Sequence, residues 1–365
     1  MQARIPQFQP YFDEQEYIAI KQCFESNWIT EGPKSKEFVE KLCELMNVEY
    51  GVLAPNGTLS LYMALRALGI GRGDEVLVPN FTFIASANAV EMCGAKPVFV
   101  DINEDLHINI DMAKKLVNKK TKAIMPVHIY GMACDMEQVV SFAEAHKLKI
   151  IEDAAQGIGI TWNNKHVGTY GDIGSFSFFA DKTITTGEGG LLVTNSKETY
   201  EALLYIRNQG RIDRGSFIHP EIGYNFRMTD IQSAIGLVQL KKLSTIINKK
   251  ACILKTYQEN LDSRYKIITP KNDKSNHIPF RVCTTVSGGS EGLMHHLKEN
   301  NIETRTFFYP LHMQPCFSNL KKSSKASFDI SITKYKEGVC LPSFVGITNE
   351  QILYVCEKMN EYIQR

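Results

Sequence analysis

From Gly51 to Ile151 the chain alternates short apolar runs with longer stretches in which apolar residues recur every three or four positions. The runs Gly51–Leu53, Glu75–Pro79, Lys96–Asp101, Ala123–Val127 and Lys149–Ile151 are too short for helices and read as strands. Between them, Leu59, Met63, Leu65 and Leu68 fall at helical spacing after the turn Pro55–Thr58, and helices are expected at Ile84–Met92 and Met136–His146. Apolar runs alternating with amphipathic helices predict an α/β fold, a largely parallel sheet covered on both faces.

The flanks extend the picture. Asp13–Leu45 reads as helix broken at Trp28–Pro33, and Ser175–Phe179 as a β-patterned run. A helix follows Asn195 as far as Arg207, then a polar loop at about Asn208–Pro220. Asp230–Leu243 is a helix expected to bury Ile231, Ala234, Ile235, Val238 and Leu243. A basic helix at Asn248–Leu261 then leads into a second alternating region. There, strands are expected at Ile278–Thr284 and Glu303–Phe308, and helices at Glu291–Asn300 and from Asn349 towards the end. The expected division is a large domain, 1–245, and a smaller α+β domain, 246–365.

Composition removes several classes of function. Forty-one Lys+Arg face 40 Asp+Glu, so no basic footprint for nucleic acid is expected. No apolar run reaches the roughly 18 residues of a membrane span, and no secretory core follows Met1; a cytoplasmic protein is expected. Nine scattered cysteines without a C-x-x-C pair read as reduced structural thiols, and nine histidines show no metal-ligand spacing. No metal is expected.

The chemistry concentrates around Lys182, where a β-patterned run enters the glycine-rich turn Thr185–Gly190. A lysine partly withdrawn from water there has a lowered pKa and a nucleophilic amine, the requirement for condensing with a carbonyl cofactor. Upstream, Ile150–Gln156 ends an apolar strand with Asp153, placed to partner a pyridinium nitrogen. Together these suggest pyridoxal phosphate. Asn56-Gly57-Thr58 opens a helix and offers backbone N–H groups to a phosphate, and the Ser177 hydroxyl could reach the same group. Phe83 could stack on a flat ring. Asn56–Thr58, Phe81–Phe83, His128 and Asp153 all follow expected strands, where ligands of parallel sheets bind.

Taken together, Asn56–Thr58, Pro79–Ser86, Pro126–Gly131, Glu152–Gln156, Phe176–Phe178 with Lys182, Thr185–Gly190 and Ile222–Asp230 resemble the DegT/StrS-type sugar aminotransferases. These are fold-type I enzymes that use pyridoxal phosphate, and the resemblance covers nearly the whole chain. It implies a covalent cofactor link at Lys182, which also shuttles a proton, and Asp153 on the ring nitrogen. Gln156 is implied near the cofactor's 3-oxygen, Phe83 on one ring face, and Gly57, Thr58 and Ser177 on the phosphate. It further implies a homodimer with shared sites, Asn225 reaching the neighbouring subunit's phosphate with Arg227 close by. Within the family, the Lys182 segment, Phe307–Pro315 and Trp28-Ile29-Thr30 are most similar to the perosamine synthase branch. That branch transfers the amino group of L-glutamate, released as 2-oxoglutarate, to C4 of a nucleotide-linked 4-keto-6-deoxyhexose. His312 and Tyr309 are substrate-contact candidates, and His128 reads as a structural hydrogen-bonder.

One departure is plain. Ala180-Asp181 stands where the branch usually has Gly-Asn, which puts a carboxylate beside the lysine and makes Asp181 a further substrate candidate. Amination at C3, or at C4 of an N-acetylated sugar, stays open. So does a regulatory protein on the same fold, although Lys182 and the lack of a helix-turn-helix extension speak against it.

Overall fold

The computed structural model describes residues 4–211, 215, 217–321 and 327–364. Helices α1 (Glu14–Glu25) and α2 (Pro33–Met46) come first. The chain then runs through β1 (Tyr50–Ala54), α3 (Gly57–Ala67), β2 (Glu75–Pro79), α4 (Ala85–Met92), β3 (Lys96–Val100), α5 (Ile110–Leu116), β4 (Thr121–Ile124), α6 (Met136–His146) and β5 (Lys149–Asp153). A small hairpin, β6 (Thr161–Trp162) with β7 (Lys165–His166), precedes β8 (Ile173–Ser177) and β9 (Gly190–Thr194). Helices α7 (Lys197–Arg207), α8 (Asp230–Lys241) and α9 (Leu243–Asn260) follow.

Seven of these strands form one sheet in the order β1-β9-β8-β5-β4-β2-β3. Only β9 runs against its neighbours, β1 and β8; the pairs from β8 to β3 are parallel. Successive strand residues point to opposite faces, and both faces are covered. Leu53, Leu77, Ile124, Ile150 and Leu191 enter one core with Phe38 of α2 and Phe142 of α6. Their neighbours Val52, Val76, Val78, Ala123, Ile151 and Leu192 enter the other core with Leu61 and Leu65 of α3. The expected fold-type I sheet is therefore present.

Beyond α9 lie β10 (Lys266–Ile267), β11 (Val282–Thr285), α10 (Glu291–Glu299), β12 (Arg305–Thr306), α11 (Ser318–Lys321), α12 (Asp329–Glu337), β13 (Gly338–Leu341) and α13 (Asn349–Ile363). The four strands make an antiparallel sheet, β10-β11-β13-β12. Val282, Val339 and Leu341 pack under Leu297 of α10 and Val355 and Met359 of α13. On the opposite side, Cys283 and Cys340 join Phe280 and Phe307 against Phe81, Val127 and Tyr130 from the rim of the large sheet. This shared aromatic layer holds the two sheets together. The start of the chain packs on the smaller unit, where Ile5 forms a parallel bridge with Ile302.

Several boundaries differ from expectation. The strand expected at Ile278–Thr284 begins only at Val282, because Ile278 is drawn into the large core and its N–H bonds to the Gly131 carbonyl at 3.2 Å. That joint is tight: at Gly131 (φ +85°) a Cβ would lie 1.8 Å from the Ile278 oxygen. The Glu303–Phe308 run shortens to Arg305–Thr306, since Glu303 pairs with Ile5 and Phe307 turns into the aromatic layer. In α8, Ala234, Val238 and the following Leu243 are buried as expected, but Ile231 and Ile235 are only half-buried. All nine cysteines are free thiols. Among the described residues, no helix is long and apolar enough to cross a membrane.

Candidate active site

The ends of β5 and β8, the entry to α3 and the loop between β8 and β9 meet at the carboxyl rim of the large sheet. Asn56 caps α3 by accepting the Leu59 N–H at 3.0 Å. The first-turn N–H groups of Gly57 and Thr58 then lie outside the helix's own bonding pattern. Ser177, the last residue of β8, lies directly against them: a Cβ on Gly57 would come within 3.1 Å of the Ser177 Oγ. Backbone donors, a helix dipole and a hydroxyl thus form one concave anion cradle.

Asp153 ends β5 and is buried. Its Oδ2 accepts the Ser86 hydroxyl at 2.7 Å, and its Oδ1 the Ala155 N–H at 3.2 Å. Burial outweighs these bonds and the field of Lys182, and raises the carboxyl pKa above its ordinary value. A buried acid in that condition gains from a cationic partner such as a pyridinium. Ser86 was not foreseen as a contributor; it sits in the Pro79–Ser86 segment, but a serine in a helix carries no signal of its own.

Lys182 lies in the loop between β8 and β9, which folds back on itself. The Phe178 N–H bonds to the Gly189 carbonyl at 2.8 Å and the Lys182 N–H to the Phe179 carbonyl at 2.9 Å. The Lys182 side chain is largely buried, its Nζ 4.6 Å from the centre of the Phe280 ring and 3.8 Å from Asp181 Oδ1. Burial lowers the amine pKa, with Arg281 adding to the effect and Asp181 and Asp153 opposing it. The amine and the Asp153 carboxylate therefore sense one another across the site.

Other candidates fall around this group. The Gln156 carbonyl oxygen accepts the Tyr130 N–H at 2.7 Å, which leaves its NH2 as the end suited to an anionic oxygen. Phe83 is 57% exposed, unusual for a phenylalanine next to a core, with its ring 6.1 Å from that of Phe308. His312 is buried at the rim: its Nδ1 lies 2.9 Å from Asn80 Nδ2, its N–H donates to Asn80 Oδ1 at 2.9 Å, and its ring stacks on Phe328. Tyr309 meets Tyr335 edge-on, ring centres 5.0 Å apart. Asp181 Oδ2 accepts from Arg281 at 2.7 Å. Arg281 itself escaped the sequence reading, because it lies in an apolar run with no motif around it.

Asn225 and Arg227 stand apart from the buried group. Asn225 is exposed and forms an antiparallel bridge with Asn208, and Arg227 donates to the Asn208 side chain at 3.0 Å. His128 has the structural place expected of it. Its Nδ1 accepts the Cys134 N–H, so Nε2 donates to Glu152 at 3.0 Å. Glu152 also accepts three backbone N–H groups, from Gly168, Tyr170 and Gly171, each at 2.7 Å. These bonds keep its pKa below the usual carboxylate value despite full burial.

The residues present fit pyridoxal phosphate: an anion cradle, a buried acid with no ion pair among the described residues, a desolvated amine and an exposed ring. The comparisons agree. Residues 10–360 match the model of the DegT/DnrJ/EryC1/StrS aminotransferase family. The chain is 41% identical to GDP-perosamine synthase of Escherichia coli O157:H7, covering 98% of each chain. It is 37% identical to GDP-perosamine synthase of Vibrio cholerae, covering 98% of this chain and 99% of that one. The PMP form of Spr1654 from Streptococcus pneumoniae superposes with a TM-score of 0.92 at 26% identity, covering 99% of both chains. The chain therefore belongs to the DegT/DnrJ/EryC1/StrS aminotransferase family, as a sugar aminotransferase dependent on pyridoxal phosphate.

Proposed function

We propose that this enzyme transfers the amino group of L-glutamate to the C4 keto group of a nucleotide-linked 4-keto-6-deoxyhexose. The observation that carries the reading is the end-to-end similarity to GDP-perosamine synthases, joined to a buried Lys182–Asp153 pair suited to the chemistry. The relatives' name favours a guanosine-diphosphate carrier; a cytoplasmic reaction whose product feeds lipopolysaccharide O-antigen assembly is part of the same proposal.

Bound pyridoxal phosphate supplies an electron sink for charge developing at the substrate carbon. Asp153 would hold the proton on the ring nitrogen, and Gly57, Thr58 and Ser177 would hold the phosphate. Gln156 would meet the 3-oxygen, and Phe83 would be available to the ring. Lys182 would hold the cofactor through its amine and, when free, could take or give a proton at the substrate carbon; burial, which lowers its pKa, favours the neutral amine that this needs. His312 and Tyr309 are assigned to the sugar side. Cofactor binding belongs to residues 1–245, with 246–365 as the smaller domain. A homodimer completes each site, Asn225 reaching the neighbouring phosphate beside Arg227; exposure of Asn225 in the single chain supports this.

The test is incubation of purified enzyme with L-glutamate and a panel of nucleotide-linked keto sugars, with products read by mass and NMR. A 4-amino-4,6-dideoxyhexose and 2-oxoglutarate in equal amounts are expected. Amination at C3, or only of N-acetylated sugars, would overturn the regiochemistry while keeping the family. No amination at all would favour the regulatory reading.

A further inference from the structure

Lys182 does not stand alone with the cofactor site. Asp181 beside it has a side chain nine-tenths buried. One oxygen, Oδ2, accepts from the Arg281 guanidinium at 2.7 Å. The other, Oδ1, is buried, has no hydrogen-bond donor among the described residues and lies 3.8 Å from Lys182 Nζ. An undonated buried carboxylate oxygen costs free energy unless a partner reaches it for part of the time. The amine is the group within reach.

Arg281 arrives from the smaller unit, one residue before β11, and is held on three sides. Its Nη1 donates to the Gln7 side-chain oxygen, Oε1, of the N-terminal arm, and its guanidinium rests 4.8 Å from the centre of the Phe280 ring. Gln7 is in turn fixed by its N–H to Glu303, while Ile5 is tied at both ends to Asn301 and Glu303. The backbone that carries Arg281 is pinned by Lys250, whose buried Nζ donates to the carbonyls of Pro279, Phe280 and Ser343 at 3.2, 3.3 and 3.3 Å. Segments around positions 7, 181, 250 and 281 converge here, so the arrangement spans both sheets and the N-terminal arm.

We propose that Asp181 is a positioning residue for Lys182: held by Arg281 and, through it, by Gln7, its free oxygen receives the lysine amine whenever the cofactor link at Lys182 is open, and keeps that amine in the site. This rests on Lys182 being the cofactor lysine. The charge balance supports it. Lys182 faces Asp181, Asp153 and Arg281, and Lys250 lies within the field of Asp181 and Arg281. Among the described residues, Asp181 and Asp153 are the acids whose fields favour a protonated Lys182, and Asp181 is the one with an oxygen 3.8 Å from its amine.

The test uses Asp181→Asn and Arg281→Gln with two readouts other than turnover. One is the pH midpoint of the visible absorbance of the cofactor-loaded enzyme. The other is the pH dependence of Lys182 acetylation by trace acetic anhydride in cofactor-free protein, read by peptide mass. Loss of the carboxylate charge should lower both midpoints by about one pH unit or more, and loss of the Arg281 cation should raise them. Opposite shifts exclude a merely structural effect, and Asp181→Glu should return the midpoint towards wild type. Unchanged midpoints in Asp181→Asn, or shifts of one sign in both variants, would overturn the proposal. Borohydride reduction of the wild type tests the parent assignment separately: cofactor mass on the Lys182 peptide upholds it, and mass on Lys250 instead would remove both.

Discussion

A Cβ placed on Gly57 would lie 2.8 Å from the Cβ of Ser177, so α3 and β8 touch through a residue that has no side chain. Gly57 has no positive φ, and the constraint is the closeness of Ser177 alone. Gly57→Ala favours the helix but must push Ser177 away from the first-turn N–H groups. Cofactor affinity is expected to fall about tenfold, ~1.4 kcal/mol, with little change in the thermal midpoint. Equilibrium dialysis alongside thermal unfolding checks both halves.

Asp153→Asn keeps a hydrogen-bonding oxygen for Ser86 but removes the charge. The fold should survive and both half-reactions should slow by about 100-fold or more. Single-turnover measurements with L-glutamate and with the keto sugar separate the two. Near-wild-type rates would remove Asp153 from the ring nitrogen.

Mixing an inactive Asn225 variant with a Lys182 variant tests the shared site. Random exchange makes about half of the dimers mixed, each with one intact site, so about a quarter of wild-type turnover should return. No recovery in purified mixed dimers would confine each site to one chain.

Acid should destabilise the fold before the carboxylates titrate. Burial pushes buried His166 down from 6.5 to about 4, where its Nε2 accepts the Gly159 N–H at 2.8 Å. Between those values the unfolded chain holds a proton that the folded chain refuses. Stability is full above pH 6.5 and is lost as the pH falls towards 4, by up to about 3 kcal/mol from this residue. His277, also lowered to about 4, acts in the same direction. Glu152 adds its loss only below its ordinary value of 4.5. Urea unfolding at pH 7, 6, 5 and 4 should show this slope, and His166→Gln should flatten part of it.

Asp230 starts α8 yet also caps α2, accepting the N–H groups of Gly32, Lys34 and Ser35 at 2.7, 3.0 and 2.9 Å. Asp230→Ala strands these donors in a buried place and should cost about 3 kcal/mol, seen as a lower urea midpoint without loss of cofactor binding in the folded enzyme.

Most strands of the large sheet were readable because they are apolar on both faces: Val76, Leu77 and Val78 feed two cores in alternation, but β9, the antiparallel strand, was not among those expected. Less was readable where tertiary contacts decide. Helix α12 and strand β13 escaped notice; α12 is held by Asp101, which accepts the Ile330 and Ser331 N–H groups from more than 200 residues away. The run at Ile278–Thr284 looked like a strand, yet its first half belongs to a joint with Gly131.

The order of residues alone determined that a parallel sheet would form, that Lys182, Asp153, Gly57 and Ser177 would follow its strands, and which family the chain resembles. Local periodicity and short motifs carry that information within a few residues. Only the folded chain decided that Ser86 would steady Asp153, and that Arg281 and Gln7 would hold Asp181 beside the lysine. Those contacts join positions up to 274 apart, and no local pattern encodes which distant side chain will fill a buried partner's empty hydrogen-bonding place.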